Sequence, residues 1–193
     1  MKFKFGNHKL PDSTLIFNMG KASDCPSRTL GLCETVNMGI RCYAEKAEIQ
    51  YSNVVPQYRD KQYAYWRTTS AEIILNDILN TINRRRKDTK LFRFNESGDF
   101  WNQKDVNKLS HIAIGLKSKG ITTYGYTARS DLNYKDVQFL VKGSYNDSGN
   151  NGRCIVLNKT DPVPKGYIEC PGSCKTCSIC SKNNKTNVAF RKH

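Results

Sequence analysis

Lys90-Leu-Phe-Arg-Phe-Asn95 is followed by Gln103-Lys-Asp-Val-Asn-Lys-Leu-Ser-His-Ile-Ala-Ile-Gly-Leu-Lys117 and then by Ile121-Thr-Thr-Tyr-Gly-Tyr126. The three segments have different periods. Residues 90–95 alternate polar and apolar side chains, the period of a half-buried strand. From about Gln103 to Lys119, Val106, Leu109, Ala113 and Leu116 recur at helical spacing, and Gly120 stops the helix. Residues 121–126, ending at Thr127-Ala-Arg129, read as a buried strand rich in β-branched and aromatic residues. Strand, helix and strand in succession point to an α/β fold with a largely parallel sheet and crossover helices.

Upstream, Thr69-Ser-Ala-Glu72 has the pattern of a capping box, and Ala71, Ile74, Leu75, Ile78, Leu79 and Ile82 then share one helical face. Pro56 opens an aromatic helix through Tyr58, Tyr63, Tyr65 and Trp66, and residues 43–50 are rich in helix formers. Near the start, Phe3 and Phe5 alternate with lysines, and residues 15–19 form a short apolar strand. Downstream, Val137–Val141, ending at Lys142-Gly-Ser144, and Cys154–Leu157 add strands, with residues 146–152 as an exposed loop between them. Four or five strands are too few for a complete eightfold barrel. The expected architecture is therefore an open or partial (β/α) barrel with a mostly parallel sheet and a Cys-rich C-terminal metal-binding tail. Residues 1–160 form the α/β domain with an N-terminal Cys loop (25–42). Pro162 and Pro164 mark the change to a Cys/Lys-rich tail, 161–193, packed on it.

The chain of 193 residues is 38% hydrophobic, enough for an ordinary core. No apolar run approaches the ~20 residues of a bilayer span, and the start alternates charge and aromatic instead of offering a signal core, so a cytoplasmic location and no membrane partner are expected. Lys and Arg number 31 against 17 Asp and Glu, a formal charge of +14. Such an excess attracts polyanions by neutralising phosphates, which makes nucleic acid the leading partner; a solvated lysine-rich surface is the plainer explanation. The cations gather in Arg84-Arg85-Arg86-Lys87 and in the tail, where Lys175, Lys182 and Lys185 stand among few acids. The arginine run also suits a helix C-terminus, where cations complement the macrodipole.

Eight cysteines in a reducing compartment argue for metal over four stable disulfides. Cys170-x3-Cys174-x2-Cys177-x2-Cys180 brings four thiols within one short run, and gaps of this size let successive sulfurs face one centre. A compact all-cysteine run favours one or two [4Fe–4S] clusters over zinc, whose sites usually pair two knuckles across a longer insertion. Redox disulfides and unligated thiols remain as alternatives. A looser set, Cys25-x7-Cys33-x8-Cys42, can hold a cluster with one open iron, be closed by the distant Cys154, or include buried thiols with no ligand role.

At predicted strand ends lie Arg93, Asn95, Glu96 and Asp99, then Tyr126, Thr127 and Arg129, then Lys142 and Ser144. In a parallel sheet these converge on one crevice suited to a polar or anionic ligand. Ser97-Gly98-Asp99 reads equally as a turn with an N-cap for the following helix. Tyr51, Tyr58, Tyr63, Tyr65 and Trp66 interleave with Arg59, Lys61 and Arg67, a composition that stacks bases or packs a helix on the sheet.

Asp24-Cys-Pro-Ser-Arg-Thr-Leu-Gly-Leu-Cys33, Cys42-Tyr-Ala-Glu-Lys46, Phe92-Arg-Phe-Asn-Glu-Ser-Gly-Asp-Phe100 and Cys170-Pro-Gly-Ser-Cys-Lys-Thr-Cys-Ser-Ile-Cys180 together resemble the phage gene product 88 family, over most of residues 18–181. The resemblance implies a phage or mobile-element origin. The Cys42-Tyr-Ala element is also similar to phage proteins related to radical-SAM enzymes, which carry a cluster at the mouth of a partial (β/α) barrel. Those enzymes use Cys-x3-Cys-x2-Cys near the start of the domain and leave one iron free for S-adenosylmethionine. Here that spacing falls on Cys170, Cys174 and Cys177, near the end, with Cys180 at hand for the fourth iron. Three functions follow: an iron–sulfur protein that binds nucleic acid through basic patches, a radical-SAM-like enzyme acting on a nucleotide or nucleic acid, and a zinc-stabilised interaction protein.

Overall fold

Alternating strands and helices with one apolar stripe can bury their hydrophobic residues together only when the helices lie against the sheet. The computed structural model describes residues 3–85 and 88–192. Its elements in chain order are β1 (Lys4–Phe5), β2 (Thr14–Ile16), a 3-10 turn at Ala22–Asp24, α1 (Pro26–Thr29), α2 (Glu34–Asn37), α3 (Tyr43–Gln50), α4 (Val55–Thr68), α5 (Ala71–Arg85), β3 (Leu91–Arg93), α6 (Gln103–Lys117), β4 (Thr122–Thr127), β5 (Leu140–Ser144), β6 (Arg153–Leu157), β7 (Tyr167–Glu169) and β8 (Asn187–Arg191). The strands form one eight-stranded sheet in the order β1-β2-β3-β4-β5-β6-β8-β7. Every neighbouring pair is parallel except the β1/β2 hairpin. β1 and β7 lie at opposite edges without pairing, so the sheet is open.

The core lies on one face, where Phe17, Phe92, Phe94 and Val141 meet Ile74 and Ile78 of α5 and Val106, Leu109, Ile112 and Leu116 of α6. Gly115 lets α5 and α6 approach, since a Cβ there would sit 2.2 Å from Leu75 Cδ2. Successive strand residues point to opposite faces. The alternation that sends Phe92, Phe94 and Val141 into the helices therefore sends Leu91, Arg93, Tyr124, Tyr126, Lys142 and Cys154 to the other side. The register aligns them across the strands, with Arg93 opposite Tyr124, Tyr126 opposite Lys142, and Cys154 opposite Ser144 and Val188.

Several elements differ from the sequence reading. β5 begins at Leu140, because Phe139 and the preceding Tyr134 pack around Phe100 in the core instead of pairing in a strand. The tail contributes β7 and β8, three and five residues long, too short and too polar for a clear alternation. Residues 146–152 are largely covered, and Asn151 is fully buried. Helix α6 is capped by Asn102, whose Oδ1 accepts from the amides of Lys104 (2.9 Å) and Asp105 (3.3 Å), and not by the Ser97-Gly98-Asp99 turn.

That turn has a separate task. Gly98, at φ 76°, bridges to Met19, and a Cβ on it would lie 2.5 Å from the Met19 carbonyl carbon. Both the left-handed conformation and the close backbone exclude a side chain. Gly98→Ala is expected to destabilise the fold by more than about 1 kcal/mol, read as a lower urea midpoint at unchanged m.

Candidate metal centre

Neighbouring parallel strands cannot be joined by a tight turn, so the chain leaving β7 must travel back before entering β8. Residues 170–186 make that journey across the sheet face opposite the helices, and they carry Cys170, Cys174, Cys177 and Cys180. Backbone bonds pin the first part of the loop, Cys170 N donating to Ala189 O (2.8 Å) and Cys174 N to Lys9 O (2.9 Å) in the β1–β2 connection. Asn151 holds the far side: its Nδ2 donates to the carbonyls of Cys180 (3.3 Å) and Lys182 (2.9 Å), and its Oδ1 accepts from the amides of Asn184 and Lys185. All four cysteines line a concavity between this loop and Tyr124 and Tyr126 of β4.

The floor, the sheet surface beneath these lining residues, is cationic. The Arg93 guanidinium lies 4.2 Å from the Tyr126 ring centre and 5.6 Å from that of Tyr124, and it donates to Phe94 O (2.8 Å). Lys142 Nζ donates to the carbonyls of Asn151 (2.6 Å) and Thr186. Burial lowers the pKa of Lys142, and the neighbouring Cys180 and Cys154 sulfurs act in the opposite sense. Burial also raises the thiols, Cys174 to about 11 with Cys180 as the next cause. For Cys180 burial again dominates, opposed by a hydrogen bond from Tyr126 and by the charges of Lys142 and Arg93. Cys154, on β6, is raised to about 12, first by burial and then by Cys180, which places the eighth cysteine beside the tail set.

The N-terminal trio follows a different rule. Cys25, Cys33 and Cys42 each occupy the position immediately before a helix, α1, α2 and α3 respectively. Cys33 is the middle member, within electrostatic range of both Cys25 and Cys42. Asp99 ties this segment to the strand ends. Its carboxylate accepts from Ser27 Oγ (2.7 Å) on α1, Thr127 Oγ1 (2.8 Å) at the end of β4, Asn95 Nδ2 (3.1 Å) and the amides of Phe100 and Ala128 (both 2.9 Å). Burial pushes the Asp99 carboxyl above its ordinary range, and these donors draw it back. Among the described residues, no three His, Cys, Asp or Glu side chains are gathered closely enough to enclose a metal ion as they stand.

Residues 1–143 match the gene product 88 family. The chain belongs to this phage family. No curated protein and no solved structure matches it. The family match includes the Cys25–Cys42 trio, the Asp99 network and Arg93, Tyr126 and Lys142 of the floor. It stops before Ser144, Cys154 and the Cys170–Cys180 loop, so the likeness of the tail to the family rests on its own residues.

The strand-end residues do not form one open crevice in this family member. Arg93, Tyr126 and Lys142 share the floor beneath the cysteine loop, while Asn95 and Asp99 join the Ser27–Thr127 network. Glu96 accepts from Asn7 Nδ2 (2.6 Å), and its carbonyl accepts from Tyr43 Oη. Arg129 is committed to Asp131 through two bonds of 2.7 Å, and Ser144 lies beside Cys154 in the register. Of the arginine run, Arg84 and Arg85 end α5, where Arg85 covers the Phe5 ring at 3.8 Å and donates to Asp12 O; Arg86 and Lys87 lie outside the described residues. The aromatic helix divides: Trp66 is buried with Nε1 donating to Asp105 (2.8 Å), whereas Tyr63 stacks on the half-exposed Trp101 beneath Arg67. Lys175, Lys182 and Lys185 stand exposed on the cysteine loop. Among the described residues, no helix is long and apolar enough to cross a membrane.

Sequence reasoning missed Tyr124 and Asn151. Tyr124 carried a usable signal, since it is two residues from Tyr126 and shares its face; Asn151 sat in a polar stretch that looked solvated. Because only thiolates react as nucleophiles, burial makes a testable ranking. In reduced, chelator-stripped protein at pH 8, Cys25 and Cys154, each pushed up to about 12, are expected to alkylate with iodoacetamide at least about tenfold more slowly than free cysteine, read by peptide mass spectrometry.

Proposed function

We propose that the chain is an iron–sulfur protein whose cluster orders the loop 170–186 over the sheet and so presents that loop's lysines to nucleic acid. One observation carries this reading: the loop turns four cysteine sulfurs into a concavity over the sheet and leaves Lys175, Lys182 and Lys185 exposed. The donor set fits the group. Four soft thiol ligands separated by three and two residues suit a [4Fe–4S] cluster, and the same ligands suit zinc. As they stand the four thiols do not enclose a metal ion, so closing the shell requires the loop to tighten around it. When bound, the cluster supplies a rigid cross-link among four points of the loop and a one-electron couple.

The lysines supply the electrostatics. Between Cys170 and Lys185 the chain has no acidic residue. Among the described residues, none of Lys175, Lys182 and Lys185 forms an ion pair. An ordered cationic loop loses less conformational entropy on binding a phosphate backbone than a mobile one. Metal loading and nucleic-acid affinity are therefore linked.

Anaerobic purification with iron, sulfide and zinc counts, followed by electrophoretic mobility shifts at graded salt, tests both halves. Loaded protein is expected to retard DNA or RNA, and Cys177→Ser protein to bind more weakly. Replacing Lys175, Lys182 and Lys185 by Gln should flatten the slope of log K against log salt by about 2 to 3. A protein with zinc alone would assign the shell to zinc. Failure to bind nucleic acid at low salt, or an unchanged slope in the lysine variant, would overturn the nucleic-acid role.

A further inference from the structure

Four basic side chains are buried in the described structure: Arg59, Arg93, Arg129 and Lys142. Two are neutralised in the ordinary way, Arg59 by Glu48 and Arg129 by Asp131. The other two lie in the sheet beneath the tyrosines that line the cysteine concavity, Arg93 within electrostatic range of Cys174 and Cys180 and Lys142 of Cys180 and Cys154, and neither forms an ion pair among the described residues. Arg93 has a carbonyl and two tyrosine rings, and Lys142 has two carbonyls. Carbonyls and ring faces orient a cation without cancelling its charge. The carboxylate of Glu96, near Arg93, takes its hydrogen bond from Asn7 instead. Burying a charge without a counter-charge is unfavourable, so a fold that keeps two such cations on one sheet face, either side of β4, implies an anion above them.

The placement defines that anion. Arg93 and Lys142 flank β4 from β3 and β5, and the Tyr124 and Tyr126 rings between them form the wall of the concavity that the four cysteines line. Asn151 joins the two parts, since its carbonyl accepts from Lys142 while its side chain holds the loop at Cys180 and Lys182. A doubly positive metal core held by four thiolates carries two net negative charges, whereas three thiolates leave only one. We infer that Arg93 and Lys142 are the counter-charges of a doubly anionic four-thiolate centre, so that Cys170, Cys174, Cys177 and Cys180 all ligate and no coordination position stays open for a substrate. This rests on the metal reading proposed above and deepens it: the tail centre is closed, and any open-site chemistry belongs elsewhere in the chain.

Cobalt(II), whose thiolate complexes absorb visibly, is the probe, with its affinity measured by chelator competition on the full chain. Wild type is expected to protect all four tail cysteines from alkylation on loading. Arg93→Gln and Lys142→Met should each lower cobalt affinity by about 10- to 100-fold, the usual effect of removing a group that supports metal ligands, whereas the exposed Lys175→Gln should not change it. Arg93→Lys and Lys142→Arg keep the charge and should retain most of the affinity, which separates charge compensation from packing. Circular dichroism checks the fold of each variant; where a neutral variant does not fold, the charge-retaining one at that position and the neutral one at the other decide. No cobalt–thiolate absorption in wild type would overturn the metal reading itself. Binding by wild type with neutral variants equally tight, or with only three tail thiols protected, would overturn the counter-charge inference alone.

Discussion

A parallel sheet has to be covered on both faces, because each strand is flanked by others and its side chains alternate between two surfaces, neither of which is suited to water. Here α5 and α6 cover one face with an ordinary aliphatic and aromatic core. Among the described residues, the other face receives no long helix. Its cover is the connection from β7 to β8, a loop too polar to supply an apolar layer of its own. The surface beneath is correspondingly unusual, holding two cations and two tyrosines where a doubly covered sheet normally has aliphatic residues. The cysteines, the basic floor and the exposed lysines all follow from solving the second face with a loop.

The N-terminal cysteine segment is joined to the same sheet by a different device. Asp99, buried, gathers donors from α1, from the β3 end and from the β4 end, so that a single carboxylate fixes where the Cys25–Cys42 segment sits relative to the strands. Gly98 beside it allows the backbone to touch Met19. The trio and the tail set are thus held by independent supports, and Tyr145 lies within electrostatic range of Cys33 of the trio and of Cys154 on β6.

The central βαβ unit was legible because each of its parts has a strong period: the aliphatic face of α6 and the alternation of residues 90–95 leave little choice. The helices at residues 43–50, from Val55 and from Ala71 were legible from composition and apolar spacing, although the last is capped by Ser70, whose Oγ accepts from Ile73 N, and not by Thr69. β7 and β8 were not, since three to five residues with mixed polarity form a strand only when a sheet edge is already present to pair with them. Of the site, the cysteine run announced itself through spacing, and Arg93, Tyr126 and Lys142 through their place at strand ends. What could not be read was which face each would occupy, because that depends on register, and a shift of one residue would have moved Arg93 into the helix-covered core. The role of Asn151 depends on contacts with residues some thirty positions away, for which a single sequence holds no sign.

The strand order also bears on how the molecule is assembled in time. β7 precedes β8 in the chain, yet its pairing partner in the sheet is β8, which inserts between β6 and β7. While the chain is being synthesised, β1 to β6 can pair in succession, but β7 has no partner until residues 187–191 have emerged. Until then the segment from Tyr167 onward is untethered, and its thiols are exposed to whatever metal or oxidant the surroundings offer. Seating of the last strand closes the loop at both ends in one event and delivers the four cysteines to the sheet together. Such late, non-local pairing slows folding relative to local contacts. On the proposed metal reading, loading before β8 docks and loading after it become competing routes.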